Sequence, residues 1–321
     1  MDLTSLLKRA EAPEQEKPQL SKEEYAAQKK AEREALWERV DTQVSEVFQD
    51  GASLKGFLDF MAQCNPQRTA NLLLLYEQNP EITWAKSFDG WKAEGRSVRG
   101  GETGYTALLG QEYTKEDGRV ASGYTIGKMF DISQTRGRQP EEPPLYAEDE
   151  LLTALFTSSP VRLSVADNLP DKVQAQYVPK HRTIYVRNNM DAGTTFRAVA
   201  REQASASFDL HNGRFNRNAY GAQSFCAAYV VSQKYGINVG MFNFDKVCEV
   251  CAPLAPEDKR RFLSDVKSAA YTVERVIDTG LQNLEEVRED AEYSVESSAP
   301  EEKTSKTVKG KKAPQQTEHS V

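Results

Sequence analysis

Apolar residues recur at a helical period over several segments of the N-terminal half. From Ser21, which forms a capping-box pattern with Glu24, one helix is predicted as far as Phe48. Two further helices follow it, and the second contains the leucine-rich segment 70–76, where Asn71 stands among apolar neighbours. A polar amide in such a buried segment must find hydrogen-bond partners.

The pattern changes to short alternating segments after residue 81. Segments 105–109 and 124–130 have strand character, and Glu116-Asp117-Gly118 between them is a turn signal. The sequence therefore predicts a β-hairpin, followed by a polar linker over 136–144.

A second unit begins near residue 148 with a helix, a strand and a predicted hairpin around Lys180-His181-Arg182. Two helices, 196–208 and about 219–235, follow and are predicted to face each other, the first capped by Thr194 or Thr195. Gly213 is available for a left-handed cap at the end of the first helix. Strands followed by packed helices indicate an α+β fold rather than alternating βαβ units.

Composition divides the chain into four parts. Charged segments poor in large apolar residues predict disordered tails at 1–35 and 283–321, the latter an acidic block followed by a basic end. Between them we predict a small α+β N-terminal domain at 36–140 and a second α+β domain at 148–282.

Charge and hydropathy exclude several classes of protein. The net charge of −7 gives no global basic field of the kind that marks many nucleic-acid-binding proteins. No apolar run approaches the roughly 20 residues of a membrane span, and the N-terminus has no secretory pattern. We expect a cytoplasmic protein without membrane partners.

Cysteine and histidine are scarce. The four cysteines include a single Cys248-Glu249-Val250-Cys251 pair, too few ligands for a Cys-rich zinc site, so they are expected to be buried thiols. The three histidines include no pair at i, i+4, which excludes the usual helical His-His zinc site.

The two facing helices resemble the core of zinc metallopeptidases of the zincin type. In those enzymes His-Glu-x-x-His on one helix supplies two zinc ligands and a general base, and a following helix supplies the third ligand. The matching positions here are Arg201, Glu202, Ser205 and Gln223, and only Glu202 keeps its residue type. Arginine cannot lose its proton to bind a metal, and serine and glutamine are weak zinc ligands.

This comparison predicts a degenerate site without a metal or another cofactor, in which Arg201 places a positive charge where the metal should lie. Two alternatives remain open. The helices can be an ordinary packed pair, or Glu202 can serve a live hydrolase whose metal is held through His211, Asp209 or Cys226.

Residues 71–135 resemble the N-terminal domain of ArdC-type antirestriction proteins, found on plasmids and integrative conjugative elements. The resemblance is carried by Asn71, Asn79-Pro80, Phe88-Asp89-Gly90-Trp91, Gly95-Arg96-Ser97-Val98-Arg99-Gly100-Gly101-Glu102 and Phe130-Asp131-Ile132-Ser133-Gln134-Thr135. The family implies a domain that binds single-stranded DNA followed by a zincin-like domain. The three differing ligand positions argue against carrying over the proteolytic role.

Aromatic and basic residues interleave in the same stretch, as expected of a surface that stacks bases and contacts phosphates. The candidate DNA-binding residues are Asn71, Trp84, Trp91, Lys92, Arg96, Arg99 and Lys128. Each aromatic can instead belong to the core. A second basic surface is considered at Arg182, Arg187, Arg197, Arg214 and Arg217.

These observations predict a non-catalytic protein that binds single-stranded DNA and serves a mobile genetic element in antirestriction or conjugative transfer. A protein partner from a transfer or restriction system is a further expectation. The alternative function is a protein-interaction scaffold built on an inactive metallopeptidase fold.

Overall fold

The computed structural model describes residues 21–114, 118–140, 144–213 and 215–298, without the side chains of Lys22, His211, Asn212 and 289–298. The fold is α+β, as predicted. The helices are α1 (Lys22–Val47), α2 (Gly51–Gln63), α3 (Thr69–Gln78), α4 (Phe88–Ala93), α5 (Glu148–Thr157), α6 (Ala192–Asn212), α7 (Arg217–Lys234), α8 (Asp245–Cys251) and α9 (Pro256–Ser298). The strands are β1 (Ala85–Ser87), β2 (Ser97–Val98), β3 (Tyr105–Thr114), β4 (Val120–Asp131), β5 (Thr135–Arg136), β6 (Arg162–Val165), β7 (Ala175–Val178) and β8 (Thr183–Val186).

The strands of the described residues form three small sheets. The first is antiparallel in the order β1-β4-β3 and contains the predicted hairpin, with Tyr105 opposite Met129. Strands β2 and β5 pair separately. The third sheet has the order β6-β8-β7, in which β6 and β8 are parallel and β7 is an antiparallel edge strand.

Helix α3 covers the open edge of β3 with two amide side chains. Asn71 receives the Leu108 N–H at 2.8 Å and donates to the Leu108 carbonyl at 3.0 Å. Gln78, two turns later on the same face, makes the equivalent pair with Thr106. An uncovered strand edge presents unpaired N–H and carbonyl groups and is a template for aggregation. These two amides bond such groups of β3, so they complete the sheet without another strand.

Both predicted units contribute to one hydrophobic cluster. Helix α9 packs against α1 and α3 on one side and against α5, α6 and α7 on the other, while α2 packs on α7. The domain boundaries therefore stay a prediction. Within the described ranges, no helix combines the length and apolar character needed to cross a bilayer.

Helical structure extends into both predicted tails. Helix α1 begins at Lys22 because Ser21 and Glu24 form the capping box, so residues 22–35 are helical rather than part of a disordered tail. Helix α9 continues past residue 283 to Ser298, where Arg288 pairs with Glu150 and holds the segment against α5. The remaining predicted tail residues, 1–20 and 299–321, lie outside the described part.

Candidate functional site

Helices α6 and α7 pack against each other, as the sequence predicts. The N-terminal cap of α6 is Asp191, whose carboxylate accepts the Thr194 N–H at 2.8 Å, and not Thr194 or Thr195 themselves. At the other end Gly213 adopts the expected left-handed conformation, with φ of 63°. Residues 201, 202, 205 and 223 are thereby brought to the facing sides of the two helices.

The Glu202 carboxylate is 2% exposed and is fully occupied by protein groups. Arg217 donates to both carboxylate oxygens, at 2.7 and 3.0 Å, and the Tyr177 N–H donates to Oε2 at 2.7 Å. Arg217 also reaches the Tyr177 carbonyl, at 3.3 Å. The hydrogen bond to Glu202 raises the pKa of Arg217 further, so this cation is permanent.

The cation that pairs with Glu202 is therefore Arg217, and the expectation for Arg201 stays a prediction. Arg201 is exposed, and its guanidinium lies 5.7 Å from the centre of the Phe225 ring. Its side chain is not bonded to Glu202, but it lies over Phe225 of α7 and lines the same cavity as Glu202 and Arg217. The sequence places Arg217 only among the candidates for a second basic surface, because its contact with Glu202 across the turn between the helices leaves no local pattern.

The other two positions also do not suit a metal ion. Ser205 is buried, and its hydroxyl lies 3.0 Å from that of Ser224 on α7 and 3.1 Å from the Arg201 carbonyl. The Oε1 atom of Gln223 is buried without a hydrogen-bond partner in the described part of the chain. A hydroxyl, an amide and a guanidinium do not make the nitrogen- and sulfur-rich set that zinc requires.

A cavity of about 250 Å³ lies beside this site, along the outer edge of β7. Its lining includes Lys172, Arg201 and Arg217 against the single carboxylate Glu202. Since Glu202 is already paired with Arg217, the free charge of the cavity is positive. An anion suits this cavity better than a divalent cation.

The alternative metal ligands do not converge. Cys226 is fully buried, and Asp209 accepts the Tyr177 hydroxyl at 2.8 Å. Cys248 and Cys251 are buried free thiols, and burial is the main cause that raises the pKa of each to about 11. Among the described residues, which exclude the His211 side chain, no group of three His, Cys, Asp or Glu is placed to hold a metal.

In the N-terminal unit, the segment 130–135 holds the glycine-rich loop, residues 95–102, in place. Asp131 accepts the N–H groups of Thr83 and Trp84, each at 3.0 Å, and of Ser133. Burial raises the pKa of Asp131, but these hydrogen bonds together lower it by more. The pKa of Asp131 is therefore below its usual value. Gln134 donates to Glu102 and to the Thr103 carbonyl, which fixes the end of the loop.

Three of the candidate DNA-binding residues have structural roles. Asn71 is 4% exposed, and its side chain bonds the backbone of Leu108 on β3. Trp91 is 1% exposed and donates its indole N–H to the Phe130 carbonyl at 2.8 Å. Arg96, 6% exposed, lies over the Trp91 ring and bonds Thr135 and the Arg138 carbonyl. Asn71 supports β3, Trp91 and Arg96 support the loop, and all three offer little surface to a ligand.

The other four candidates reach solvent. Trp84 is 39% exposed, and Lys92 and Lys128 are exposed. Arg99 is exposed at the glycine-rich loop, where it pairs with Glu102 at 2.7 Å. Lys128 contacts the Thr106 hydroxyl at 2.9 Å on the neighbouring strand.

The structure adds two candidate DNA-binding residues that the sequence does not indicate. Arg68, just before α3, lies 4.4 Å from the centre of the exposed Tyr124 ring, and Phe88 is an exposed aromatic at the start of α4. Arg68 and Tyr124 are far apart in sequence, so no local pattern could join them.

The second basic surface is mostly used for internal contacts. Arg187 donates to backbone carbonyls of Leu169, Pro170 and Val173, and Arg197 donates to the Asn238 carbonyl. With Arg217 paired to Glu202, these charges stabilise loops and the helix pair. Arg214 lies outside the described residues.

Comparisons with known proteins agree with the N-terminal assignment. Residues 30–142 match the family model of the N-terminal domain of anti-restriction factor ArdC, so the predicted resemblance to ArdC-type proteins is confirmed. No curated protein matches the chain.

Two solved structures of the antirestriction ArdC protein from the R388 plasmid are similar to this chain, each with a TM-score of 0.49. The metal-free structure is 15% identical over 76% of this chain and 98% of its own. The Mn(II)-bound structure is 17% identical over 77% and 97%.

Proposed function

Because residues 30–142 of this chain belong to the family of the ArdC N-terminal domain, we propose that the chain is a non-catalytic single-stranded DNA-binding protein. In this proposal it serves a mobile genetic element in antirestriction or in conjugative transfer. The observation that carries the proposal is an aromatic and basic row on one face of β4.

Alternate residues of β4 point to the same side of the sheet. Tyr124 and Lys128 on this side are exposed and Phe130 is half-buried, with Ile126 between them partly buried against the core, whereas Met129 and Asp131 on the other side are buried. The row from residue 124 to 130 is about 20 Å long, at roughly 3.3 Å per residue. Rings that stack bases, alternating with cations that contact phosphates, are what a single strand requires.

The glycine-rich loop provides a second contact for the backbone of the strand. Gly100 and Gly101 have open space where a side chain would lie, and Gly101 has φ of 87°, which favours glycine. A phosphate can therefore approach the main chain closely, beside the Arg99 guanidinium.

Binding of a fluorescent thymidine oligonucleotide, measured against salt, tests the proposal. If Arg68, Lys92, Arg99 and Lys128 each contact one phosphate, log K falls with log salt at a slope of about −3, taking −0.7 per contact. The variant with Arg99→Ala and Lys128→Ala should bind more weakly and lose about 1.4 of that slope.

The matched control is Lys180→Ala with Lys246→Ala, which removes two exposed charges from other parts of the chain. It should bind as wild type does. Absence of binding by wild type at low salt, or equal losses in the two double variants, contradicts the proposal. Arg96→Ala is a poor test because Arg96 is a structural residue.

The non-catalytic part of the proposal is supported by the donor set at positions 201, 205 and 223, and by the ion pair that occupies Glu202. A general base must be free to accept a proton from water, and Glu202 is engaged by three N–H groups. Elemental analysis of purified protein incubated with Zn²⁺ or Mn²⁺ is the test. Stoichiometric metal, together with peptide hydrolysis that chelation abolishes, contradicts it.

The scaffold function is favoured by one observation, the positively charged cavity beside the edge strand β7. It suits an acidic segment of a partner protein. In that case partner capture from the host of the mobile element is weakened by Arg201→Glu and is unchanged by the Arg99 and Lys128 double variant. The opposite pattern favours DNA binding as the main function.

A further inference from the structure

Residues from both halves of the chain line a cavity of about 490 Å³. Its lining is mostly apolar and includes Met61, Leu72 and Val230, and the aromatic residues Trp84 and Tyr271 also line it. Pockets that bind small aromatic ligands have this volume and this mixture of apolar lining and few polar groups.

Two exposed aromatic rings line the same cavity from different units. Trp84, 39% exposed, precedes β1, and Tyr271, 51% exposed, belongs to α9. Large aromatic side chains exposed beside an apolar cavity are costly to leave in water, and a flat aromatic ligand would cover them. In a protein that binds single strands, an unstacked base is such a ligand.

One lysine at the cavity, Lys267, favours a ligand with negative charge. Lys267 lies one turn before Tyr271 on α9, is half-buried, and donates to the Gln67 carbonyl at 3.1 Å. Burial, and in second place the charge of Arg68, lowers the pKa of Lys267. Lys234 and Glu274, which also line the cavity, neutralise each other at 2.6 Å.

Arg68 joins this cavity to the row on β4. It stacks on Tyr124, and Lys267 donates to the carbonyl of Gln67, the residue next to Arg68. Within the described residues neither cation is paired with a carboxylate. Two neighbouring cations repel each other, and a phosphate between them would relieve that repulsion. The positively charged surface therefore extends from Lys128 on β4 through Arg68 to Lys267 on α9.

We propose that this cavity binds one unstacked base of a single DNA strand, held beside Trp84 and Tyr271, with its phosphate at Lys267 and Arg68. This site rests on the proposed DNA-binding function. It makes α9 part of the DNA interface, although the match to the ArdC N-terminal domain ends at residue 142.

Anisotropy titrations with a labelled thymidine oligonucleotide of about 20 residues test the site in the full chain. Loss of one stacked base corresponds to about 5- to 140-fold weaker binding, so Tyr271→Ala should fall in that range. Tyr271→Phe keeps the ring and should bind within about twofold of wild type. Tyr25→Ala removes an exposed tyrosine from α1 and is the matched control, expected to be neutral.

A scan with single abasic residues identifies the base itself. In wild type, one abasic position at a fixed distance from the end of a short oligonucleotide should weaken binding as much as Tyr271→Ala does. In Tyr271→Ala that same position should cause no further loss, because both changes remove one contact. Binding should also quench the fluorescence of Trp84, and this part of the signal should disappear in Trp84→Phe.

Two results overturn the site in different ways. If wild type binds the oligonucleotide and Tyr271→Ala binds it equally well, the base site is wrong and the DNA-binding function stands. If wild type shows no binding at low salt, both proposals fail together. Circular dichroism of Tyr271→Ala checks that the variant is folded before the affinities are compared.

Discussion

Replacing Arg217 by alanine would leave the Glu202 carboxylate buried with one remaining hydrogen bond, from the Tyr177 N–H. Removing one partner of a buried ion pair costs about 3–5 kcal/mol, because the other charge stays desolvated. The Arg217 side chain is 37% exposed, so water reaches its side of the pair. We therefore expect a lower cost of about 2–3 kcal/mol.

Thermal unfolding measures this cost directly. At roughly 2–4 °C per kcal/mol for a chain of this size, Arg217→Ala should lower Tm by about 4–12 °C. Glu202→Gln keeps an acceptor for the Tyr177 N–H and should lose less. The double variant should reveal a coupling energy of about 1–3 kcal/mol between the two residues.

Arg201→Ala is the control, because this cation lines the same cavity but is exposed and not bonded to Glu202. It should change the free energy of unfolding by no more than about 0.5 kcal/mol. A similarly small change for Arg217→Ala, or a coupling energy near zero, would refute the conclusion that Arg217 neutralises Glu202.

Three further predictions concern stability and reactivity. Asn71→Ala leaves the N–H and carbonyl of Leu108 without partners at a buried edge, and chemical denaturation should show a loss of about 2–4 kcal/mol; an unchanged midpoint contradicts the structural role. The lowered pKa of Asp131 means that its stabilisation is present above about pH 4 and is lost as pH falls through the folded-state pKa. The free energy of unfolding of Asp131→Asn, measured against pH, should therefore lack this part of the pH dependence. A stability curve parallel to that of wild type would refute the role of Asp131. With pKa values of about 11, Cys248 and Cys251 are almost wholly protonated at pH 8 and should react with a thiol reagent only on unfolding; rapid labelling of native protein would contradict this.

Local patterns predicted the elements well where the signal lies within one turn or one hairpin. The capping box at Ser21, the hairpin of β3 and β4 and the left-handed cap at Gly213 all appear as expected. In each case the residues that interact are close in sequence, so the pattern contains its own partners. The cap at Asp191 was missed because three polar residues with capping ability follow one another closely.

The ends of the fold could not be placed by composition. Residues 284–298 are rich in acids and poor in apolar groups, which favours disorder. They nevertheless continue helix α9, and Arg288 on α9 meets Glu150 on α5, a contact between residues 138 positions apart. A charge run gives no sign of whether a distant partner exists.

The sequence by itself determined the α+β class, the facing helix pair, the resemblance of the N-terminal part to the ArdC N-terminal domain and the residue types at positions 201, 205 and 223, since each depends on which residues stand at short, fixed spacings. Only the tertiary structure decided which side chains are free to act. It buries Asn71, Trp91 and Arg96 in the framework, pairs Arg217 rather than Arg201 with Glu202, and brings Trp84 and Tyr271 to one cavity. Exposure and ion pairing depend on elements that are distant in sequence, so they are set by packing and leave no periodic pattern along the chain.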